Sequence, residues 1–215
     1  LVKGLPTSTS LAAGYQAVLA DPVLARQALQ YSVSEGYLPL RQWIAERMTR
    51  DGMPCGPDNI MLTAGSQQGL DLLGKLLLSG GDTVMTARPT YLGALQAFNG
   101  YQPTYMDLPE GALAGLAGEV LEARCRESVG YFVPDFANPT GRRLTLDERP
   151  ALLGLAARLD MTLIENTAYR ELRFAGDPLP TLLALDIAAS GSIEAARTLY
   201  CGTFSKTLSP ALRIG

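Results

Sequence analysis

The sequence predicts an α/β protein built on a doubly wound, mostly parallel sheet with helices on both faces. Three observations carry that expectation. Short apolar runs alternate with helical periodicity from about Asn59 to Gly215, the pattern of repeated strand–helix–strand crossovers. The loops after those runs hold the conspicuous polar, glycine and proline residues, and strand-end loops are where such a sheet presents a ligand site. Hydrophobic residues make up 47% of the chain and charged residues 18%, enough apolar material for a large core and too little charge for a disordered segment.

Composition also excludes whole classes of function. The net charge is −3 and no basic cluster stands out, so this segment does not read as a nucleic-acid binder. No apolar run approaches the ~20 residues of a membrane span, and no charged-then-apolar secretory signal is visible at the N-terminus. Histidine is absent, which removes Ser-His-Asp and Cys-His catalysis and most metal chemistry. Proton transfer must fall to lysine, tyrosine or carboxylates. Cys55, Cys125 and Cys201 are scattered and odd in number, fitting reduced thiols in a cytoplasmic protein better than disulfides or a zinc site.

In chain order, Leu1 to Pro6 opens without a cap and reads as the continuation of something upstream. Pro22 to Gln30 has helical character, and a turn-rich stretch from Leu29 leads into a helix with Leu40, Trp43, Ile44 and Met48 on one face. Tyr31 and Tyr37 read first as half-buried packing residues. Asp58 to Thr63 reads as a strand, followed by Ala64-Gly65-Ser66-Gln67-Gln68-Gly69 and a helix from about Gln67 to Leu78 carrying Leu70, Leu73 and Leu77. Glycine and serine at a strand-to-helix junction make an anion site at the positive helix end, or an ordinary cap by Ser66.

Gly80-Gly81-Asp82 is a turn and Thr83 to Thr86 a short buried strand, with Arg88-Pro89-Thr90-Tyr91 at its carboxyl end. Tyr91 could stack on a planar heterocycle or simply pack in its loop. A helix-like segment spans about Leu113 to Arg126. Val129 to Val133 is a strand feeding Pro134-Asp135-Phe136-Ala137-Asn138-Pro139-Thr140-Gly141, whose prolines and glycine fix a defined loop. Thr145 and Glu148 suit a capping box, although Pro150 predicts a late start or a bend in the helix that follows. Met161 to Ile164 is a strand, and alternation puts Glu165 and Asn166 on opposite faces. Pro178 to Ser190 covers a loop and a short apolar segment. Thr198 to Cys201 reads as a buried strand entering Gly202-Thr203-Phe204-Ser205-Lys206-Thr207-Leu208-Ser209-Pro210-Ala211-Leu212-Arg213-Ile214-Gly215.

Lys206 is either a solvated loop lysine or an amine held in a cleft, able to condense with a carbonyl cofactor. The hydroxyls of Thr203 and Ser205 and the cation of Arg213 would suit a phosphate beside it. The spacing Ser-Lys-x-x-x-Pro-x-x-Arg-x-Gly resembles the cofactor-lysine signature of the fold-type I pyridoxal-phosphate enzymes, in particular the class I/II aminotransferases. Four further matches follow in order over nearly the whole chain: Tyr-x4-Gly-x3-Leu-Arg from Tyr31, Gly-Ser-Gln-Gln from Gly65, Tyr91, and Asn-Pro-Thr-Gly from Asn138.

The resemblance implies that Lys206 holds pyridoxal 5'-phosphate and shuttles the substrate's proton. It implies a phosphate cup with Ser66, Gln67, Thr203, Ser205 and Arg213, ring stacking by Tyr91, and an amide at Asn138 for the phenolic oxygen. Tyr169 belongs to the same site, and Tyr31 reaches the partner's phosphate across a homodimer. One position departs from the pattern: the family's aspartate for the pyridine nitrogen, three residues before Tyr169, is Asn166 here. By the same likeness residues 1–40 are an N-terminal segment with the dimer loop, and residues 41–215 the cofactor-binding large domain. The small domain, with the arginine that grips the substrate's carboxylate, lies outside this chain. The implied reaction is amino transfer between an amino acid and a 2-oxo acid, in the branch acting on 2-aminoadipate, aromatic or branched-chain substrates. The alternative is a cofactor-binding sensor domain of a transcription regulator, for which Asn166 would suffice.

Overall fold

The computed structural model describes residues 8–108 and 128–215; the helix expected over Leu113 to Arg126 falls outside the described residues. Five strands form one sheet: β1 (Thr83–Ala87), β2 (Thr104–Leu108), β3 (Val129–Phe132), β4 (Thr162–Asn166) and β5 (Thr198–Cys201). Their spatial order is β2-β1-β3-β4-β5, and every neighbouring pair is parallel.

Period-two alternation sorts the strand side chains onto two packed faces. Met85, Phe132 and Leu163 point to one side, against Leu152, Leu155 and Leu159 of α6 (Glu148–Leu159) and Leu182 of α7 (Leu182–Ser190). Val84, Tyr131 and Ile164 point to the other, against Leu70 of α4 (Ser66–Leu77) and Ala94 and Phe98 of α5 (Leu92–Asn99). Before the sheet come α1 (Ser8–Ala20), α2 (Pro22–Ala28) and α3 (Leu38–Arg50). Neither α1 nor α2 buries a residue, whereas α3 buries Arg41, Ala45 and Met48. Trp43, expected on the apolar face of α3, is 44% exposed.

Strand order reverses between β1 and β3, and the loops leaving their carboxyl ends carry Tyr91 and Asn138. That crevice is where an open α/β sheet gathers ligands. Local chemistry fixes the helices that frame it. Thr145 and Glu148 exchange hydrogen bonds, Glu148 N to Thr145 Oγ1 at 3.2 Å and Thr145 N to Glu148 Oε2 at 2.8 Å, the expected capping box. α6 starts late, at Glu148 beyond the Thr145 box, so Pro150 stands in its first turn, where no intrahelical acceptor awaits its missing N–H. At the start of α7 the Glu165 carboxylate accepts from Leu182 N (2.8 Å) and Leu183 N (2.9 Å), and Thr181 Oγ1 accepts from Ala184 N (3.0 Å).

Three expectations fail for physical reasons. Asp58 to Thr63 is not a strand: a 3-10 turn covers Pro57–Asn59, and only Thr63 finds a ladder-like partner, exchanging two hydrogen bonds with Gly215 (2.8 and 3.1 Å). A strand needs a neighbour's ladder, and the rest of this stretch has only isolated bonds: Asn59 and Ile60 close the turn, and Leu62 N–H reaches Glu35 O at 2.9 Å. β5 is only partly buried, with Leu199 37% exposed, because it forms the sheet edge. Tyr31 is 99% exposed, not half-buried.

A buried charge ties the strand-end loops together. Arg149, fully buried on α6, donates to Asp135 Oδ1 (2.7 Å) and Oδ2 (3.5 Å) and to the carbonyls of Pro134, Leu144 and Pro180 (2.9–3.4 Å). Arg143 and Arg170 also reach Asp135, each at 3.1 Å. Burial would push the Asp135 carboxyl upward, but the Arg149 hydrogen bond and the charges of Arg149 and Arg170 hold it below the usual range. Removing one member of such a cluster strands the other in the interior. Arg149→Met is expected to cost about 3–5 kcal/mol, read as a lower urea midpoint with an unchanged slope. Asp135 should add stability at neutral pH that disappears as pH falls below the ordinary carboxylate range and through its depressed folded value.

Candidate active site

The phosphate-sized end of the site is built where two distant segments meet. Gly65 caps α4 with φ +85°, a left-handed conformation, and no side chain caps the helix. Ser66 is therefore the first helical residue and not the cap, and the N–H groups of Ser66 and Gln67 lie in the first turn, where the helix offers no acceptors. The Arg213 guanidinium crosses over Gly65 and donates from Nη2 to Ala64 O at 2.9 Å. A Cβ on Gly65 would sit 2.5 Å from Arg213 Nη2, and a Cβ on Gly215 would overlap Ser66 N. Gly215 is thus required by close approach to backbone, and Gly65 by its positive φ, beside which the Arg213 head packs. Thr203 Oγ1 and Ser205 Oγ stand 3.0 Å apart, and Thr203 Oγ1 also lies 3.2 Å from Ile214 O and accepts from Ser205 N at 3.1 Å. Uncapped helix amides, two hydroxyls and a guanidinium form a donor set suited to a phosphate dianion.

Gln67 divides its roles. Its side-chain Nε2 donates to Gly93 O (2.6 Å), and the Tyr91 hydroxyl donates to its Oε1 (3.4 Å), so its side chain orients the tyrosine while its backbone N–H faces the helix end. Tyr91 folds over Gly93, where any Cβ would overlap the ring. Glycine at position 93 escaped the sequence reading; its sign was a small residue two places after a loop aromatic.

Lys206 lies in the turn after β5, exposed, with Nζ 5.8 Å from the centre of the Tyr169 ring. The ammonium over an aromatic face is a favourable contact. Asn138 is half-buried in the loop after β3, which is closed by Ala137 N to Arg142 O (2.8 Å) and Leu144 N to Pro134 O (2.8 Å). Asn166 ends β4 and is 4% exposed. Its Oδ1 accepts from Ala168 N (3.2 Å) and its Nδ2 donates to the Tyr131 hydroxyl (2.8 Å). Tyr131 was missed from sequence, although a polar-tipped aromatic inside an apolar strand calls for a hydrogen-bond partner.

Glu165 faces away from the site, as alternation requires, and is wholly buried. Burial pushes its carboxyl up to about 7, against the pull of the Leu183 and Leu182 N–H bonds and the Arg149 charge. Burial likewise pushes the Cys201 thiol up to about 12, so it stays protonated and unreactive.

Tyr31 stands apart from this group; its backbone N–H bonds its neighbour Gln30, and its ring is bare. The rest of its motif has a structural purpose. Gly36 has φ +96° and approaches Leu62 so closely that a Cβ would lie 2.6 Å from the Leu62 Cβ. Arg41 donates to Gly36 O (3.2 Å) and Pro57 O (2.9 Å), holding the turn against the segment before α4. A separate cavity of about 440 Å³ opens between α3, α4 and β5, lined by residues such as Ile44, Met48, Ile60, Leu73 and Leu199. It touches the back of the phosphate cradle at Ser66 and Thr203 but includes none of Lys206, Tyr91, Asn138 and Asn166, so the chemistry does not sit there.

Comparison with known proteins agrees with this geometry. The family model for aminotransferase class I and II matches residues 16–215. The aromatic-amino-acid aminotransferase 1 of Thermococcus litoralis is 38% identical over 226 residues, covering 100% of this chain and 52% of that protein. The solved structure of LysN, an α-aminoadipate aminotransferase from Thermus thermophilus complexed with N-(5'-phosphopyridoxyl)-L-leucine, superposes with a TM-score of 0.83 at 37% identity, covering 98% of this chain and 53% of that one. More distantly, the HTH-type transcriptional regulator NorG of Staphylococcus aureus is 27% identical over 187 residues, 86% of this chain and 40% of that protein. The chain thus spans about half the length of the aminotransferases it matches. With the model match across residues 16–215, the chain belongs to the aminotransferase class I and II family.

Proposed function

We propose that the protein containing this chain transfers an amino group between an amino acid and a 2-oxo acid with pyridoxal 5'-phosphate. The observation that carries this reading is the convergence of a lysine, an uncapped helix end with Arg213 above it, and Tyr91 at the carboxyl ends of parallel strands. The donor set fits the group: Gly65 and Gly215 let Arg213 and the Gly215 backbone close onto the start of α4, and Ser66, Gln67, Thr203, Ser205 and Arg213 would supply N–H and O–H donors for the phosphate. Tyr91 would cover one ring face, Asn138 would bond the phenolic oxygen, Asn166 would meet the ring nitrogen, and Tyr169 flanks Lys206. When bound, pyridoxal phosphate supplies the sink for the electron pair left as the substrate's Cα loses its proton. Lys206 Nζ would be the covalent anchor for the cofactor and the residue placed to act as base toward the substrate's Cα proton.

In this reading residues 41–215 form the cofactor-binding domain, and residues 1–40 carry a dimer contact in which the exposed Tyr31 reaches the partner's phosphate. The substrate is a 2-aminoadipate, aromatic or branched-chain amino acid, its carboxylate held by chain outside these residues. The compartment is the cytoplasm; among the described residues no helix is long and apolar enough to cross a membrane. A second reading, a sensor domain of a regulator, draws on the neutral Asn166 and the likeness to NorG. Conversion of bound cofactor by an amino-acid panel distinguishes them, since a sensor binds without turnover.

Three measurements bear on these assignments. Borohydride reduction after incubation with pyridoxal phosphate should place the pyridoxyl adduct on the peptide containing Lys206; an adduct elsewhere rejects the anchor. Gly65→Ala should weaken pyridoxal phosphate binding about tenfold or more, because Ala at φ +85° costs ~1–3 kcal/mol and displaces Arg213. Equal affinity in a titration would remove the phosphate cradle from this place. In mixed dimers of Tyr31→Phe with Lys206→Ala subunits, the site that keeps Lys206 should bind pyridoxal phosphate as tightly as the wild type; binding there as weak as in the Tyr31→Phe homodimer would put the Tyr31 contact within its own subunit.

A further inference from the structure

The amide of Asn166 is held in one orientation by its neighbours. Ala168 N is a donor only, so the atom 3.2 Å from it must be Oδ1; exchanging the amide's ends would set two donors against each other. Nδ2 therefore faces the Tyr131 hydroxyl at 2.8 Å and donates to it. Tyr131 has no freedom to move away. It is fully buried, registers with Ile164 on β4, and meets Phe98 edge-on with ring centres 5.8 Å apart.

The groups around this pair supply no negative charge. Burial pushes the Tyr131 phenol well above its ordinary range, Cys201, Tyr91 and Tyr169 add to that rise, and only the Asn166 bond opposes it. The Cys201 thiol on β5 is also held protonated. The adjacent carboxylate, Glu165, lies on the opposite face of β4 with both oxygens engaged by Leu182 and Leu183 N–H. A pyridine nitrogen keeps its proton in a buried site when a carboxylate pairs with the charge; here an amide and a phenol stand in that place.

We propose that Tyr131 is a positioning residue for Asn166, and that the pair holds the cofactor's ring nitrogen without its proton. The proposal rests on the cofactor reading above. Its consequence is a weaker electron sink than a carboxylate-paired ring would give, with phosphate, stacking and lysine contacts left intact.

The test uses the full-length protein with pyridoxal phosphate labelled with 15N in the ring. The bound wild-type ring nitrogen should resonate in the unprotonated range at pH 7, and Asn166→Asp should move it to the protonated range. Tyr131→Phe keeps the ring in the core but removes the acceptor of the Asn166 amide. It should shift the Asn166 side-chain amide signals already in the cofactor-free protein and weaken pyridoxal phosphate binding about tenfold, the effect of one lost hydrogen bond. A protonated ring nitrogen in the wild type overturns the proposal alone. Unmoved Asn166 amide signals in Tyr131→Phe overturn the positioning role. No uptake of pyridoxal phosphate, seen as an unchanged visible spectrum, overturns the cofactor reading and this proposal with it.

Discussion

Arg149 carries a full charge with no access to water, and the rim of the sheet is arranged around satisfying it. A lone guanidinium in the interior would cost several kcal/mol. Here its donors meet Asp135 and the carbonyls of Pro134, Leu144 and Pro180, groups from the loops after β3 and before α7. The same charge lowers the cost of the neighbouring buried carboxyl of Glu165, which fastens the start of α7 to β4. Two strand-end loops and two helices are thereby fixed relative to one another. Asn138 lies three residues beyond Asp135, and Asn166 lies next to Glu165. Both site amides hang from this buried network, on the side where the strands end.

Much of this was legible because it depends on short-range rules. β3 is an apolar run, Val84-Met85 and Leu163-Ile164 give β1 and β4 short apolar centres, and Leu70, Leu73 and Leu77 recur at helical spacing, so local pattern placed them. The lysine turn, the Gly65-Ser66 junction and the Asn138 loop were legible as motifs with fixed spacing. Other features depend on partners distant in sequence. Thr63 pairs with Gly215 while Leu62 bonds Glu35 instead of a strand, which no local pattern can show. β2 was overlooked because the edge of the sheet leaves Tyr105 and Met106 only partly buried and blurs the pattern. α1 buries nothing, so it offered no apolar stripe to read, and α5 hides its core residues in eight positions. The Arg149 cluster is the plainest omission. An arginine in a helical segment reads as solvated, and only the folded loops reveal the four oxygen-bearing partners that bury it.

Close approach explains the glycines that motifs merely record. Gly65 admits Arg213, Gly93 admits the Tyr91 ring, and Gly36 admits Leu62. Gly65 and Gly36 join segments far apart in the chain, whereas Gly93 lets the tyrosine two residues before it fold back over the helix start. The start of α4 is therefore a packing feature before it is an electrostatic one: its donors converge because the Gly215 backbone can touch Ser66 and Gly65 there.

The last constraint is the division of labour along β4. Adjacent residues of a strand face opposite ways, so Glu165 and Asn166 serve different masters despite touching in sequence. The carboxylate faces the helix layer, where it satisfies two orphan N–H groups of α7 and draws on the Arg149 charge. The amide faces the site, where Ala168 N–H and the Tyr131 hydroxyl use one end each. Exchanging the two chemistries would damage both sides: an amide at 165 would turn a donor toward a backbone N–H, and a carboxylate at 166 would need its charge matched in a pocket whose neighbouring thiol and phenol are held neutral by burial. A cationic ring nitrogen could supply that match, and without one the neutral amide is the lower-energy occupant. The electrostatics of the site therefore follow from which face of one strand received the charge.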